Sequence, residues 1–317
     1  MVCSVRRALT IAAAALLPAA LAAGGVAQAA PQSSPQSSPQ SFPAKFAAPY
    51  LELSSGTVGD MAADKSASGV NHFTLAFLIP QSGCTAKWEN GDYPVGNFKS
   101  QIGSLQSAGG DVIISFGGAE GGELAQTCKS ASSLQAAYAN VVKTNNVHRL
   151  DFDIEGGPLD DTASIQRRDT ALAALQKADP SVQVDYTLPV DPSGLEGNAL
   201  SLLKDAKSKG VKVSTVNIMT MDFGDGENAL NDAESGANAT AKQLASLYGE
   251  SSSAAWAQLG LTPIAGKNDD NENFTQANAK TLESFAASKG VSLLAFWEVD
   301  SYDKKVGYAY SKIFGKI

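Results

Sequence analysis

Apolar runs and amphipathic segments alternate along most of this 317-residue chain. Several of the runs, such as residues 73–79, are apolar at almost every position, which is typical of parallel strands covered on both faces. The pattern predicts strands at Pro49–Leu53, His72–Ile79, Asp111–Phe116, Arg149–Glu155, Gln183–Val190, Val213–Asp222, Leu261–Ala265 and Ser292–Glu298.

Helical spacing and helix-stop residues fill most of the intervals between these runs. The predicted helices are Phe98–Ala108, Ala131–Lys143, Ser164–Ala178, Leu200–Ser208 and Ala277–Ser288, with weaker patterns at Met61–Ser66 and Val306–Phe314. Eight strands with intervening helices favour one α/β domain, a single (β/α)8 TIM barrel, over an open doubly wound sheet.

The amino-terminal region differs from the rest of the chain. Arg6 and Arg7 precede an Ala/Leu-rich apolar segment, and Ala27-Gln-Ala29 fits a small-x-small cleavage site. We therefore expect residues 1–29 to be a secretory signal peptide and the mature protein to be extracellular and free of the membrane. An uncleaved membrane anchor is the alternative.

A low-complexity segment separates this signal from the predicted barrel. Residues 30–43 repeat Pro-Gln-Ser-Ser and are expected to form an extended linker, because they offer little apolar area to bury. Residues 44–317 are then long enough for one large barrel domain.

Charge and histidine content narrow the range of partners. The chain has 24 basic and 32 acidic residues, for a net charge of −8, and no basic stripe suits nucleic acid. With only His72 and His148 available, a zinc site or a Ser-His-Asp triad has few residues to use. We expect no metal, no cofactor and a monomer.

The cysteine content agrees with export to an oxidising compartment. Cys3 lies in the predicted signal peptide, whereas Cys84 and Cys128 lie in the barrel. An exported protein meets an oxidising compartment, so one disulfide between Cys84 and Cys128 is expected. Two free or buried thiols are the alternative.

Three acids at alternate positions are the most informative feature of the chain. In Arg149-Leu-Asp-Phe-Asp-Ile-Glu-Gly156, the side chains of Asp151, Asp153 and Glu155 share one face of the predicted strand. Same-face neighbours lie roughly 7 Å apart, where two charges repel by about 2.5 kcal/mol at an effective dielectric near 20. Such a cost is accepted where one acid is to be protonated and its neighbour ionised, as general acid catalysis requires.

Two further interpretations of these acids stay open. An exposed acidic edge strand would show the same alternation, although edges are more often protected by Lys or Pro. Alternate carboxylates also suit Mg²⁺ or Ca²⁺.

Polar and small residues follow several predicted strands, where a barrel places its chemistry. These strand-end motifs are Ser115-Phe-Gly-Gly118, Glu155-Gly-Gly157, Met219-Thr-Met-Asp222 and Trp297-Glu298. They gather the candidate site at one end of the barrel.

These motifs resemble those of the family 18 glycoside hydrolases. Leu150-Asp-Phe-Asp-Ile-Glu155 is similar to the family's Asp-x-x-Asp-x-Asp-x-Glu signature, and Ser115-Phe-Gly-Gly118 to its Ser-x-Gly-Gly motif. Trp297 falls where the family places the Trp beneath the cleaved sugar. Met219-Thr-Met-Asp222 further resembles a bacterial and archaeal chitinase subgroup. The resemblance covers the whole barrel domain, residues 44–317.

The sequence departs from the family pattern in two of its motifs. The first Asp of the signature falls on His148, with Arg149 where Gly is common. The sixth-strand Tyr, which in the family hydrogen-bonds the reacting acetamido group, falls on Met221, whose thioether cannot donate that bond. The short Gly266–Asn273 stretch leaves no room for the family's α+β insertion, so an open groove is expected.

The resemblance implies a role for each candidate residue. Glu155 is the acid that protonates the glycosidic oxygen, and it is expected to be protonated beside an ionised Asp153. Asp153 holds the substrate's acetamido group and stabilises the oxazolinium ion that this group forms, while Asp151 shares a proton with Asp153. The remaining assignments are structural support from Ser115, Gly117 and Gly118, and substrate contacts from Asp222, Trp297, Met219, Met221 and Tyr186, with Tyr50 and Trp88 as further candidate aromatics.

The resulting expectation is a secreted chitinase that binds chitin or N-acetylglucosamine oligosaccharides. An endo-β-N-acetylglucosaminidase acting on glycoprotein glycans would use the same acids. A catalytically silent oligosaccharide-binding protein and a metal-dependent hydrolase are two competing hypotheses.

Overall fold

The computed structural model of the protein describes residues 42–53, 61–120, 122–224, 226 and 229–317. The predicted signal peptide and nearly all of the predicted linker lie outside these residues. The linker's end does not: the ring of Phe42 packs 5.1 Å from that of Phe46 and 4.9 Å from the Arg149 guanidinium. The packed part of the chain therefore includes Phe42, two residues before the predicted boundary.

Strands and helices alternate as the hydrophobic pattern predicts. The described strands are β1 (Phe46–Ala47), β2 (Tyr50–Glu52), β3 (His72–Ser82), β4 (Thr85–Trp88), β5 (Asp111–Gly117), β6 (Arg149–Asp153), β7 (Gln183–Pro189), β8 (Val213–Met219), β9 (Leu259–Thr262), β10 (Gly266–Lys267), β11 (Asn273–Phe274) and β12 (Leu293–Leu294). The described helices are α1 (Met61–Ser68), α2 (Lys99–Ser107), α3 (Leu124–Thr127), α4 (Ala131–Asn145), α5 (Thr162–Ala178), α6 (Gly197–Lys209), α7 (Ala229–Tyr248), α8 (Ser252–Ala257), α9 (Gln276–Lys289) and α10 (Ala309–Phe314), with short 3-10 turns at Gly157–Leu159 and Asp303–Val306.

The parallel sheet closes on itself through its first strands. Its order is β12-β9-β8-β7-β6-β5-β3, with β1 paired to β12 and β2 paired to β3. Because β1 and β2 are consecutive parts of one run, residues 46–52 join the two edges of the sheet. The predicted (β/α)8 barrel is confirmed. Between β9 and α9, the stretch that is too short for an insertion forms the antiparallel hairpin β10–β11.

Alternation along β6 separates the core from the barrel interior. Leu150 and Phe152 point toward the helices, where Phe152 stacks on Phe116 at 5.3 Å between ring centroids and meets Tyr138 at 5.1 Å. Asp151 and Asp153 take the opposite face, inside the barrel.

The lower barrel interior is filled by a buried ion pair. Arg149 donates from Nε to Asp185 Oδ2 at 2.6 Å, and also donates to Asp185 Oδ1 at 3.0 Å and to Thr215 at 2.8 Å. The rings of Phe42 and Phe46 cover its guanidinium. His148 lies at the start of the same strand, where its Nδ1 hydrogen-bonds the Ser181 hydroxyl at 2.8 Å. His148 and Arg149, which depart from the family signature, are thus parts of the lower barrel.

One helix of the barrel layer was not predicted from the sequence. Helix α7 buries Ala233, Gly236, Ala237, Thr240 and Ala241 against the barrel. Ala233, Ala237, Ala241 and Leu244 recur at helical spacing, so the sequence carried a signal for this helix that the prediction missed.

The expected disulfide is present. Cys84, beside the β3–β4 turn, is bonded to Cys128 at the end of α3 with an S–S distance of 1.94 Å. Within the described part of the chain, none of the helices has both the length and the apolar character needed to cross a bilayer.

Replacing both cysteines by serine should destabilise the domain. The bond closes a loop with a sequence separation of 44 residues, for which the loop-entropy treatment gives about 4 kcal/mol. Calorimetry of the double variant should show a Tm lower by roughly 5 to 15 °C. A Tm equal to that of the oxidised wild type would contradict this expectation, and the reduced wild type is the matched control.

Candidate active site

The three acids rise through the barrel along one strand. Asp151 and Asp153 lie on β6 and are 2% and 5% exposed. The strand ends at Asp153, two residues earlier than the alternation predicts, although the Ile154 amide still donates to Thr187 O at 3.0 Å. Glu155 emerges beyond this point and is partly exposed. These three residues, Asp151, Asp153 and Glu155, which we call the acid ladder, therefore extend from the buried interior to the open end of the barrel.

Hydroxyl groups surround the lowest acid. Ser115 donates to Asp151 Oδ2 at 2.6 Å, Thr187 donates to Oδ1 at 2.8 Å, and the Tyr50 hydroxyl lies 3.3 Å from Oδ2. Burial raises the pKa of Asp151 to about 7, and the Asp185 carboxylate adds to the rise, while the hydroxyl donors oppose it. Asp151 is thus a buried acid that titrates near neutral pH.

The upper two acids interact directly. Asp153 and Glu155 are joined by a side-chain hydrogen bond. Burial raises both pKa values, and the pKa of Asp153 lies well above its ordinary value because the charges of Glu155 and Asp151 add to the effect. In the substrate-free protein the proton between them is therefore favoured on Asp153. Asp153 is the more buried acid and lies between two others. The expected catalytic arrangement, a protonated Glu155 beside an ionised Asp153, stays a prediction.

Two glycines allow the close approach of β5 to the acid ladder. Gly117 has φ +104°, and a Cβ on it would overlap the carbonyl oxygen of Asp153. A Cβ on Gly118 would overlap the ring of Phe77, and the Gly118 amide donates to Asp153 O at 3.1 Å. Ser115, Gly117 and Gly118 thus all lie in direct contact with the strand that carries the acids.

Aromatic rings form one wall beside the acids. Trp297 stacks on Phe77 at 5.6 Å with an interplanar angle of 10°, and its ring lies 5.8 Å from that of Tyr50. They border a space of about 200 Å³ that we call the aromatic cavity, lined by Tyr50, Phe77, Ala119, Asp153, Glu155, Thr187, Met219, Met221, Asp222, Thr262, Ile264, Asp269 and Trp297.

A second, larger space begins on the other side of Glu155. We call it the acidic cavity; it measures about 420 Å³ and is lined by Glu155, Gly156, Leu159, Asp160, Pro189, Val190, Asp191, Glu196, Asn198, Ala199, Met219, Met221 and Asp222. Both cavities include Glu155, Met219, Met221 and Asp222 in their walls. The two spaces are therefore halves of one cleft with Glu155 at their junction.

Asp222 has an additional structural role at this junction. Its Oδ1 accepts hydrogen bonds from the backbone amides of Asp269 at 2.8 Å and Asp270 at 3.3 Å. Its backbone lies in the left-handed region, with φ 50°. Burial raises the pKa of Asp222, and the two amides oppose that rise. One carboxylate oxygen thus anchors the loop that borders the aromatic cavity.

Two of the candidate aromatic residues lie away from the cleft, which corrects the expectation that they contact substrate. Tyr186 is 0% exposed, faces the helices from β7, and donates its hydroxyl proton to Asp169 on α5. Trp88 is also fully buried; its indole N–H donates to Val95 O at 3.2 Å, and its ring meets that of Phe98. Both aromatic residues belong to the hydrophobic core.

Sequence analysis did not identify several residues of the site. Thr187 is in register with Asp153 on β6 and with Asn217 on β8. Thr262 lies on β9, two residues beyond the partner of Asn217. Thr187 lies two residues after the inward-facing Asp185, so alternation along β7 would have predicted that it also faces the barrel interior. Phe77 gave no comparable signal, since it lies in a continuous apolar run. No cluster of three or more potential His, Cys, Asp or Glu metal ligands occurs in the part of the chain that the structure describes.

A barrel whose open end joins buried carboxyl groups to an aromatic-walled cleft is the arrangement of a carbohydrate-cleaving enzyme. The sequence matches the model of the glycosyl hydrolases family 18 over residues 50–313, and the chain belongs to that family.

Known relatives are consistent with this membership. The chain is 36% identical over 272 residues to a probable bifunctional chitinase/lysozyme of Escherichia coli (strain K12), and 35% identical over 270 residues to endochitinase 11 of Metarhizium anisopliae. Each match covers 80% of this chain but only 30% and 51% of the respective relative. The chain thus spans about a third to half the length of these two relatives.

Solved structures show the same arrangement of the domain. The catalytic domain of a hyperthermophilic chitinase from Pyrococcus furiosus is 32% identical and superimposes with a TM-score of 0.80, covering 89% of this chain and 97% of that domain. Catalytic-site mutants of a thermostable Pyrococcus furiosus chitinase, complexed with chito-oligosaccharides, superimpose with a TM-score of 0.81 at 32% identity, with the same coverage.

Asp153→Asn should stabilise the protein in a pH-dependent manner. Because the pKa of Asp153 is raised in the folded state, the wild type loses stability as the pH rises above about 4, where the unfolded chain releases this proton. Asparagine carries no such cost. Calorimetry should show a Tm gain of at least about 3 °C at pH 8 that shrinks toward pH 4.

Asp179→Asn is the matched control with the opposite sign. Hydrogen bonds from Ser181 lower the pKa of Asp179, so this carboxylate stabilises the fold above its unfolded pKa, and its loss should lower the Tm at pH 8 more than at pH 4. A Tm difference for Asp153→Asn that did not vary with pH would contradict the account.

Proposed function

We propose that the domain is a secreted chitinase that hydrolyses β-1,4-linked N-acetylglucosamine polymers with retention of configuration. The main observation in support of this proposal is the pair of acids, Asp153 and Glu155, in the wall of the aromatic cavity. Asp153 is hydrogen-bonded to Glu155, while its buried Oδ1 has no hydrogen-bond partner among the described residues. An acetamido N–H in this cavity would supply the partner that Oδ1 lacks.

Substrate binding moves the shared proton from Asp153 to Glu155. When the acetamido N–H donates to Asp153 Oδ1, it favours the ionised form of Asp153, so the proton moves to Glu155. Glu155 then faces the glycosidic oxygen as a general acid. In the free protein burial holds the proton on Asp153, and substrate binding transfers it to the position where it is used.

The nucleophile in this mechanism belongs to the substrate. The acetamido carbonyl oxygen attacks the anomeric carbon while the bond to the leaving oxygen breaks, and that oxygen takes the proton of Glu155. The oxazolinium ion formed is stabilised by ionised Asp153. Glu155 next accepts a proton from water as the water attacks the same carbon, which restores the acid and retains the configuration.

The two cavities divide the sugar chain at Glu155. The sugar that carries the reacting acetamido group stacks on Trp297 in the aromatic cavity, next to Asp153. The leaving portion of the sugar chain occupies the acidic cavity. Glu155 lines both cavities, so its carboxyl group lies beside the oxygen that joins the two portions. The complexes of the Pyrococcus furiosus mutants with chito-oligosaccharides support the choice of ligand.

Two finer assignments belong to this proposal. The Arg6-Arg7 start, the apolar segment and the Ala-Gln-Ala site support export of the mature protein. The Met219-Thr-Met-Asp222 phrase supports membership of the bacterial and archaeal subgroup. Met219 and Met221 line both cavities, so they contribute apolar walls where the wider family has a tyrosine hydroxyl.

Glu155→Gln should abolish turnover while substrate binding persists. The amide keeps the shape of the side chain but has no proton to transfer, so kcat/KM for an N-acetylglucosamine tetramer should fall by at least about 1000-fold. Calorimetric titration should give a Kd within about tenfold of that of the wild type. Glu283→Gln, on α9 outside both cavities, is the charge-matched control and should cleave normally. Rapid cleavage by the Glu155 variant would refute the proposed acid.

End-group analysis of partly deacetylated chitin tests the substrate-borne nucleophile. Cleavage requires an acetamido group on the sugar in the aromatic cavity, so every new reducing end should be N-acetylglucosamine, and nuclear magnetic resonance should detect the β-anomer first. Free glucosamine at new reducing ends would contradict substrate assistance. Release of glycans from a high-mannose glycoprotein without release of chitobiose from chitin would instead identify the endo-β-N-acetylglucosaminidase.

A further inference from the structure

Three side-chain hydrogen bonds run in series across the barrel to the lowest catalytic acid. Thr262 on β9 donates to Asn217 Oδ1 at 2.8 Å, Asn217 Nδ2 donates to Thr187 Oγ1 at 3.0 Å, and Thr187 donates to Asp151 Oδ1 at 2.8 Å. All four side chains are buried. The chain crosses from β9 through β8 and β7 to β6, inside the barrel.

The hydrogen-bonding chemistry sets the direction of this series. A threonine hydroxyl has one proton, and the amide nitrogen of Asn217 can only donate. With that nitrogen facing Thr187, the Thr187 oxygen accepts. Its proton then goes to Asp151 Oδ1 at 2.8 Å rather than to the Tyr50 hydroxyl at 3.0 Å, because the carboxylate is the stronger acceptor. The reversed amide would take the Thr187 proton for itself and leave Asp151 Oδ1 without this donor, which is costly for a buried carboxylate.

A glycine on β9 makes room for the amide. A Cβ on Gly260 would lie 2.8 Å from Asn217 Oδ1 and 3.1 Å from Thr215 Cγ2. A larger residue there would displace the Asn217 amide. The barrel interior is therefore shaped around this side chain.

We propose that Asn217 is a positioning residue for catalysis, anchored by Thr262, which directs the Thr187 proton to Asp151 and so keeps Asp151 ionised beneath the reacting pair. Asn217 contributes to neither the aromatic nor the acidic cavity, so it acts through its neighbours rather than on the sugar. The inference rests on the proposed function, because it assigns Asp151 a part in the same reaction.

The groups around Asp151 give the expected direction of the effect. The titratable and charged side chains that face it are Tyr50 from β2, Asp153 from its own strand, and Asp185 from β7 with Arg149 behind it. Ser115 on β5 adds an uncharged donor. Without the Asn217 donor, the Thr187 hydroxyl is free to turn toward the Tyr50 hydroxyl, 3.0 Å away. This turn removes a donor from the charged form of Asp151 and leaves those charges unchanged. Asp151 then ionises at higher pH.

Asn217→Ala tests the proposal through the pH profile of tetramer hydrolysis. We expect the acidic limb of kcat to move up by about one pH unit, since one hydrogen bond to a carboxylate is worth about one unit. At the pH optimum, kcat should fall about tenfold and KM should change less than threefold. Asn145→Ala is the matched control: Asn145 is also buried, but it bonds Val141 O within α4, so its acidic limb should coincide with that of the wild type.

A second pair of variants keeps the test decisive if Asn217→Ala does not fold. Thr262→Val keeps the side-chain shape without the hydroxyl and should shift the acidic limb in the same direction, whereas Thr262→Ser restores the donor and should return the limb to the wild-type position. An unshifted limb in Asn217→Ala, a loss confined to KM, or equal profiles for the Val and Ser variants would overturn the proposal. If Glu155→Gln kept its turnover, the proposed function itself would be refuted. If Asn217→Ala kept the wild-type pH profile, this inference alone would be refuted.

Discussion

Burial of three carboxyl groups along one strand is the constraint on which the rest of this structure depends. An ionised carboxylate away from water is costly unless protons or hydrogen-bond donors compensate it. In the described part of the protein, no basic side chain forms an ion pair with Asp151, Asp153 or Glu155. Hydroxyl groups stabilise Asp151, and a shared proton stabilises the pair above it.

The lower barrel resolves the same problem differently. Arg149 and Asp185 form a buried ion pair that is satisfied on both sides and covered by aromatic rings. This pair supports the fold, whereas the upper two acids share a proton. One barrel interior thus contains an ion-paired layer below the three acids, and neither Arg149 nor Asp185 lines the two cavities of the cleft.

Much of this architecture could be predicted from residue alternation. The Leu150–Ile154 and Asp151–Glu155 faces of β6 follow from the period of two, and strand order places the motifs at one end of the barrel. Tyr186 was assigned to the substrate site from its residue type, and this was wrong. It alternates along β7 with the inward-facing Asp185 and Thr187, so its side chain points outward into the core. Helix α7 was missed although its buried residues recur at helical spacing. The position of the proton between Asp153 and Glu155 depends on depth of burial, which the sequence does not state.

The ionisation of the acid ladder can be measured directly. Carbon-13 resonances of the aspartate carboxyl groups, followed against pH in the wild-type domain, would separate Asp151 and Asp153 from surface acids such as Asp179. The account predicts a midpoint for Asp151 near its raised pKa of about 7, a higher midpoint for Asp153, and a midpoint for Asp179 below the usual range. Midpoints near 4 for both ladder aspartates would contradict the central claim that burial raises the pKa values of Asp151 and Asp153.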